Sequence, residues 1–135
     1  MDLKIVEYEH EVCIGDDPVR KDLDYLFRTT NGRRIYIVPK KSVVCTANTI
    51  KIPKTIKQLT NYSKTDTKCF TIFYTLWSYE KGYGRLILNY LLPTLNTDRF
   101  VTLSPKTEMA YKFHIKNGAS LISTNKTSYN FEYFK

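Results

Sequence analysis

The feature that most constrains this chain is a nine-residue run, 69–77, made almost entirely of β-branched and aromatic residues. A strand with one face in water alternates between polar and apolar residues, whereas this run is apolar on both faces. It therefore predicts a central strand that other elements cover on both sides.

A glycine-containing loop and a helix follow that run directly. Gly82 and Gly84 lie in the loop, and apolar residues then recur at helical spacing from Leu86 to Leu95. Two glycines let the backbone approach an anion, and the amides and dipole of a helix N-terminus favour negative charge. The loop lacks the third glycine of a dinucleotide fingerprint and the Lys-Ser/Thr pair of a P-loop. Because a tight turn also needs glycine for steric reasons, both interpretations stay open.

Strand composition and helical spacing divide the remaining chain into short elements. Asp16-Asp17-Pro18 predicts the start of a helix that ends near Thr30, and Ser104-Pro105 predicts the start of another that ends near Asn117. Residues 48–68 are rich in Lys, Thr and Asn and weakly periodic, which predicts a solvated loop with a short strand or turn. The other predicted strands cover residues 3–9, 34–38, 42–47, 99–103, 121–123 and 129–134.

The resulting order, β-α-β-β-β-α-β-α-β-β, predicts a mixed α/β fold with a central twisted sheet flanked by helices. A strand, a loop, a helix and a further strand imply a parallel pair in the middle. The chain has 135 residues, which favours a single domain, 1–135. No run approaches the ~20 apolar residues of a membrane span, and the first thirty residues lack the apolar region of a signal peptide. We therefore expect a cytoplasmic protein without a membrane partner.

Sulfur and imidazole side chains are few and scattered. The three cysteines are Cys13, Cys45 and Cys69, and the two histidines are His10 and His114. Such wide spacing argues against a structural zinc site, and an odd cysteine count without an export signal predicts reduced thiols. We expect no bound metal.

Charge is divided unevenly along the chain, whose net charge is +8. Residues 1–30 hold four basic and eight acidic side chains, a net of −4, and residues 31–135 hold seventeen and five, a net of +12. The basic part favours an anionic partner. An enzyme that handles one anionic and one cationic substrate would use both parts.

Two blocks resemble the GCN5-related N-acetyltransferase superfamily. Residues 73–86 look like its acyl-CoA pyrophosphate loop, and residues 110–119 are similar to its later helix, Ala-x-x-Phe-Tyr-x-x-x-Gly-Phe. The resemblance implies an acyl-CoA co-substrate such as acetyl-CoA, with the central strand along pantetheine and the loop amides on the pyrophosphate. The residues that it places at these positions are Phe73, Tyr74, Thr75, Leu76 and Trp77 for pantetheine, and Lys81, Gly82, Tyr83, Gly84 and Arg85 for the pyrophosphate.

The chain departs from that family at three points. Tyr79 stands where Gln or Arg is usual, and residues 69–77 contain no carboxylate that could serve as a general base. His114 replaces the helix tyrosine that often protonates the departing CoA thiolate, so the resemblance implies His114 as the acid. The alternative is a histidine that packs in the core. Acidic residues of the N-terminal segment (Glu7, Glu9, Asp22, Asp24) would favour an amine acceptor if they lined a cleft.

Two blocks, one of which overlaps the helix block above, are similar to the C-terminal domain of malonyl-CoA decarboxylases. They are residues 102–105 and 113–119, and the resemblance implies that Ser104 and His114 act together on the malonyl carboxylate. A continuous helix between these two residues would hold them about 15 Å apart, beyond hydrogen-bonding distance. We therefore expect Ser104 to be a helix N-cap.

Three functions from different classes follow. The first is transfer of an acetyl group from acetyl-CoA to an amine, and the second is decarboxylation of malonyl-CoA or a related acyl-CoA. The third is a nucleic-acid-binding module without catalysis, supported by the basic residues 31–135 and by the 19 aromatic residues of the chain. Scattered basic residues, and aromatic residues lying mostly in strands, disfavour this third function. Open strand edges would also permit a homodimer.

Overall fold

A computed structural model describes residues 2–135. Across these residues one eight-stranded sheet carries the fold. Its strands are β1 Lys4–Ile5, β2 Arg33–Val38, β3 Ser42–Thr49, β4 Phe70–Ser78, β5 Arg99–Thr102, β6 Ser104–Pro105, β7 Ser120–Thr124 and β8 Ser128–Tyr133. The helices are α1 Tyr25–Thr29, α2 Ile56–Tyr62, α3 Tyr83–Leu91 and α4 Glu108–Lys116.

The strands are ordered β1-β2-β3-β4-β5-β8-β6, and β7 pairs with the other edge of β8. Strands β4 and β5 are parallel, and the remaining pairs are antiparallel. This confirms the predicted fold class, a mixed sheet with flanking helices. None of the helices in residues 2–135 has the length and apolar character that crossing a bilayer requires.

Strand β4 lies between two hydrophobic clusters, as its composition predicts. Ile72, Tyr74 and Trp77 belong to the cluster that packs with residues of α1 and α2. Phe73 belongs to the cluster on the opposite face, with Ile87 and other residues of α3. The sheet is therefore covered on both sides at its centre.

Two predicted helices begin later than their sequence signals indicate, and β1 is shorter than residues 3–9. Helix α1 begins after Asp24, whose side chain accepts from the Phe27 amide at 2.8 Å. Helix α4 begins after Thr107, whose hydroxyl accepts from the Ala110 amide at 3.2 Å. Asp and Thr are both residue types that helix N-termini favour. The expected kind of cap is therefore present in each helix, but at a later position than the sequence predicted.

The prediction of a loop over residues 48–68 misses α2, which occupies Ile56–Tyr62, although residues 50–55 and 64–68 are irregular. Thr55 caps this helix by accepting from the Gln58 amide at 3.1 Å, and Leu59 is completely buried in the core. A seven-residue helix with one buried anchor leaves almost no periodic signal in a sequence.

Asp17 is buried because it binds four donors and does not cap a helix. Its carboxylate accepts from the amides of Val19 and Arg20, from the Thr75 hydroxyl at 2.9 Å and from the Arg28 guanidinium at 2.8 Å. The side chains of Asp17 and Arg28 are both fully inaccessible to solvent. Burial by itself would raise the pKa of Asp17, but these hydrogen bonds outweigh it and lower the pKa below its ordinary value.

The variant Asp17→Asn leaves Arg28 charged and buried without its counterion. We expect it to lower the free energy of unfolding by roughly 3–5 kcal/mol, measured by urea denaturation. Glu80→Gln makes the same chemical change in the exposed Lys41–Glu80 pair and should cost less than about 1 kcal/mol. Equal losses in the two variants would contradict the role of the buried pair.

Candidate functional site

The central parallel strands separate part-way along their length. Pairing of β4 with β5 ends at Phe73 and Thr102, and the last main-chain bond runs from the Leu103 amide to the Phe73 carbonyl at 2.8 Å. On the other side of β4, Cys45 pairs with Thr75 and its neighbour in β3 pairs with Phe73. Tyr74 is thus an extra residue, and this β-bulge lies where the strands separate.

The bulge sets which peptide groups of β4 face the gap. The Tyr79 amide donates to the Lys41 carbonyl at 2.8 Å, so Tyr79 is hydrogen-bonded towards β3. In an antiparallel ladder every second residue forms its main-chain hydrogen bonds with the neighbouring strand, so the N–H and C=O groups of Thr75 and Trp77 also point towards β3. The N–H and C=O groups of Leu76 and Ser78 therefore point away from β3, towards the gap.

A cleft of about 330 Å³ occupies this gap. It extends from β4 to one face of α4, from Met109 to His114, and the segment Pro18–Val19 forms one rim. Among the residues that the structure describes, those lining it include no Lys, Arg, Asp or Glu. The lining residues are Pro18, Val19, Phe73, Tyr74, Thr75, Leu76, Trp77, Ser78, Leu88, Leu103, Ser104, Pro105, Thr107, Met109, Ala110, Phe113 and His114.

The glycine loop joins the end of β4 to α3. Gly82 precedes the helix with φ of +90°, a conformation that favours glycine. A Cβ on Gly84 would lie 3.1 Å from side-chain atoms of Leu76 and Phe113, so this glycine lets α3 approach the cleft wall closely. Lys81 and Arg85 are exposed beside the loop. The five predicted pyrophosphate residues, 81–85, are thus at a helix N-terminus outside the cleft lining, whereas the five predicted pantetheine residues all line the cleft.

His114 lies on the face of α4 that meets the sheet. Its Nδ1 is 2.6 Å from the Tyr133 hydroxyl, and the Phe113 and Phe131 rings are about 5 Å from its own ring centroid. Burial lowers the pKa of His114 to about 4. The imidazole is therefore neutral at physiological pH, and it lines the cleft as a neutral group.

Ser104 is not the N-cap of α4, which corrects the sequence prediction. It belongs to β6, pairs with Tyr129 and is only 3% exposed, with its hydroxyl 2.7 Å from the Thr102 hydroxyl. A turn separates β6 from α4, so the continuous helix that would hold Ser104 and His114 about 15 Å apart does not exist. Both residues line the same cleft.

The predicted acceptor-side carboxylates do not enter this cleft. Glu7, Glu9 and Asp22 are exposed, and Asp24 is the exposed cap of α1. The buried carboxylate nearest the cleft wall is Asp17, which contacts Thr75, but its four donors and lowered pKa make it a poor base.

Other residues noted in the sequence have structural partners or lie apart from the cleft. The Tyr79 hydroxyl donates to Asp16 at 2.7 Å and accepts from the Trp77 indole at 3.1 Å. Burial raises the pKa of the Cys45 thiol to about 12, so this thiol is unreactive. Cys69 precedes β4 and is exposed, as is Cys13.

Sequence reasoning missed three residues that shape the site: Arg20, Thr102 and Tyr133. Each contacts a residue far away in the chain, and local composition gives no sign of such a contact. Tyr133 lies in a predicted strand, 129–134, but its contact with His114 depends on how β8 packs against α4.

Comparisons with known proteins do not assign the chain to a family. No family model matches the chain, and no curated protein matches it. Among solved structures, a malonyl-CoA decarboxylase from Cupriavidus metallidurans is similar, with 16% sequence identity and a TM-score of 0.48. The match covers 77% of this chain and 31% of that one, so the chain spans less than a third of that protein's length. Membership of the GCN5-related superfamily stays a prediction.

Acidification tests the environment of His114. The unfolded chain binds this proton near pH 6.5 and the folded chain only near pH 4, so stability is complete above pH 6.5 and falls as the pH drops towards 4. The loss across that window is on the order of 3 kcal/mol. His114→Gln should flatten this part of the stability profile, measured by urea unfolding at several pH values. An unchanged slope would show that His114 does not titrate in this way.

Proposed function

We propose that this chain is an acyl-CoA-binding enzyme that decarboxylates a malonyl-type thioester. The observation that supports this proposal is that Ser104 and a neutral His114 line the same cleft, whose described lining carries no ionised side chain. The resemblance of two sequence blocks to malonyl-CoA decarboxylases points to the same two residues.

The gap between β4 and β5 fits an extended chain that carries amides. The peptide groups of Leu76 and Ser78 point into it and would pair with the two amides of pantetheine, as an added strand pairs with a sheet edge. The glycine loop and the first turn of α3 would then receive the pyrophosphate, with Lys81 and Arg85 beside it. Acetyl-CoA and malonyl-CoA share this part of the molecule.

The uncharged lining favours loss of a carboxylate. In such a cleft the malonyl carboxylate loses hydration and finds no cation among the lining residues to pair with, whereas the carbon dioxide that leaves is neutral. The bond between the carboxylate carbon and the α-carbon breaks, and its electron pair moves into the thioester as an enolate. Water then supplies a proton to the α-carbon, which gives acetyl-CoA.

His114 would stabilise the enolate as a neutral donor. We assign the Tyr133 hydroxyl as donor to Nδ1, which places the imidazole proton on Nε2 and leaves that N–H for the thioester oxygen. Protonation of a departing thiolate, the role implied by the acetyltransferase resemblance, would need an imidazolium that a pKa of about 4 makes scarce. The Ser104 hydroxyl, which donates to Thr102 in this structure, would turn to donate to the carboxylate before it leaves.

Acetyl transfer to an amine is the second candidate. It is favoured by the acidic N-terminal segment, in which the exposed Asp16 and Asp22 flank the Pro18–Val19 rim of the cleft. It is disfavoured because an amine must lose a proton before attack, and Asp17 is a poor base.

Turnover of malonyl-CoA separates the two candidates. We expect the wild-type chain to release carbon dioxide and form acetyl-CoA without any amine. His114→Ala, which has no side-chain donor, should lower this rate by about 10²–10³, the usual effect of removing one donor from a developing oxyanion. Lys112→Ala, on the exposed face of the same helix, is the control and should keep the wild-type rate. Stable malonyl-CoA, together with amine-dependent thiol release from acetyl-CoA, would establish the second candidate instead.

Two glycines form a matched pair for testing the loop. Gly82 and Gly118 both have φ of +90°, and a Cβ on either would meet nothing within 4 Å. Alanine at either position should therefore cost a similar ~1 kcal/mol of stability. Only Gly82→Ala should weaken acetyl-CoA binding, by about tenfold in Kd measured by calorimetry, because it alone would shift the loop amides.

Equal affinities in the two variants would place the pyrophosphate elsewhere.

The nucleic-acid-binding alternative is tested by calorimetry of the wild-type chain with acetyl-CoA, malonyl-CoA and a single-stranded oligonucleotide. Salt-sensitive binding of it, with no binding of either CoA ester, would favour the nucleic-acid-binding alternative.

A further inference from the structure

The main-chain carbonyls of Tyr74 and Leu103 lie at the point where β4 and β5 separate. A regular parallel ladder would continue from the Leu103 amide bond to Phe73 by having the Thr75 amide donate to the Leu103 carbonyl. The bulge turns Thr75 towards Cys45 of β3, which removes that donor. It also directs the Tyr74 carbonyl into the fork between the strands.

Arg20 donates to both carbonyls. Its Nε donates to the Tyr74 carbonyl at 3.1 Å, and its Nη2 donates to the Leu103 carbonyl at 2.9 Å. One guanidinium therefore bridges β4 and the segment after β5, in the position that the next ladder rung would occupy.

The backbone of Arg20 is itself held at both ends. Its amide donates to Asp17 at 3.0 Å, and its carbonyl accepts from Arg28 at 2.6 Å. The buried Asp17–Arg28 pair thus fixes the position of the Arg20 backbone, and the two strand carbonyls fix the position of its guanidinium.

We propose that Arg20 is a positioning residue that holds the fork open for an acyl-CoA ester. By binding both carbonyls it prevents the strands from closing onto each other, and it keeps Leu76 and Ser78 aligned along the gap. This inference rests on the proposed function, because it concerns the same cleft. It adds a residue outside both resemblances and outside the cleft lining.

Arginine suits this position better than lysine. The guanidinium is planar and its donors diverge at fixed angles, so one group reaches two carbonyls on different strands. An ammonium is a single point that would satisfy one carbonyl well and leave the other without a partner.

The test measures acetyl-CoA affinity by calorimetry for wild type, Arg20→Lys and Arg20→Ala, with Arg34→Lys as an exposed control in β2. We expect Arg20→Lys to weaken binding by about tenfold and Arg20→Ala by more, since each loses a charge-assisted bond to a carbonyl. Arg34→Lys should bind as wild type does. Circular dichroism at the assay temperature establishes that each variant is folded.

Chemical rescue separates positioning from a general effect on stability. Methylguanidinium added to Arg20→Ala should restore acetyl-CoA affinity, whereas methylammonium at the same concentration should not. If Arg20→Ala does not fold, the acetyl-CoA affinities of Arg20→Lys and Arg34→Lys still show whether Arg20 positions the strands for binding.

Two results would overturn the inference in different ways. Wild-type chain that binds no CoA ester defeats the proposed function and the inference with it. Wild-type chain that binds acetyl-CoA, with folded Arg20 variants that bind it within about twofold, defeats the inference alone.

Discussion

The Asp17 carboxylate joins the N-terminal segment to the central strand, and the site depends on that junction. It binds the Thr75 hydroxyl of β4 on one side and Arg28 of α1 on another, in full burial. A lone buried carboxylate would be costly, but four donors keep it ionised in place. Its amide contacts also fix the turn that contains Pro18 and Arg20. One rim of the cleft and the guanidinium in the fork therefore share a single anchor.

At the opposite wall, packing decides the chemistry of His114. Aromatic rings around the imidazole remove water and disfavour its charged form, while the Tyr133 hydroxyl fixes the orientation of the ring. A histidine of this kind is a hydrogen-bond donor or acceptor of fixed direction, and it is a weak acid-base group at neutral pH. Residue type alone indicates proton transfer, but burial keeps this imidazole neutral, and the proposed function uses it as a neutral donor.

Local signals predicted the centre of the fold well and its connections poorly. The run 69–77 shows burial on both faces in its own composition, and Gly82 precedes a helix as its spacing predicts. Asp17 and Ser104 both precede a proline and therefore look like helix caps, yet each is buried by partners that local sequence cannot specify. Helix α2 was missed because its stability depends on burying Leu59, a tertiary contact, more than on helical periodicity.

In the proposed function, the distribution of charge separates ligand binding from chemistry. The net charge of +12 over residues 31–135 would attract an anionic ligand at long range, and Lys81 and Arg85 concentrate positive charge beside the glycine loop. The described cleft lining carries no formal charge at neutral pH. A CoA ester bound as proposed would gain its affinity at the phosphates, far from the reacting carbons. That remote binding energy can hold a malonyl carboxylate in a cleft that does not solvate it, and the strain is relieved as carbon dioxide leaves.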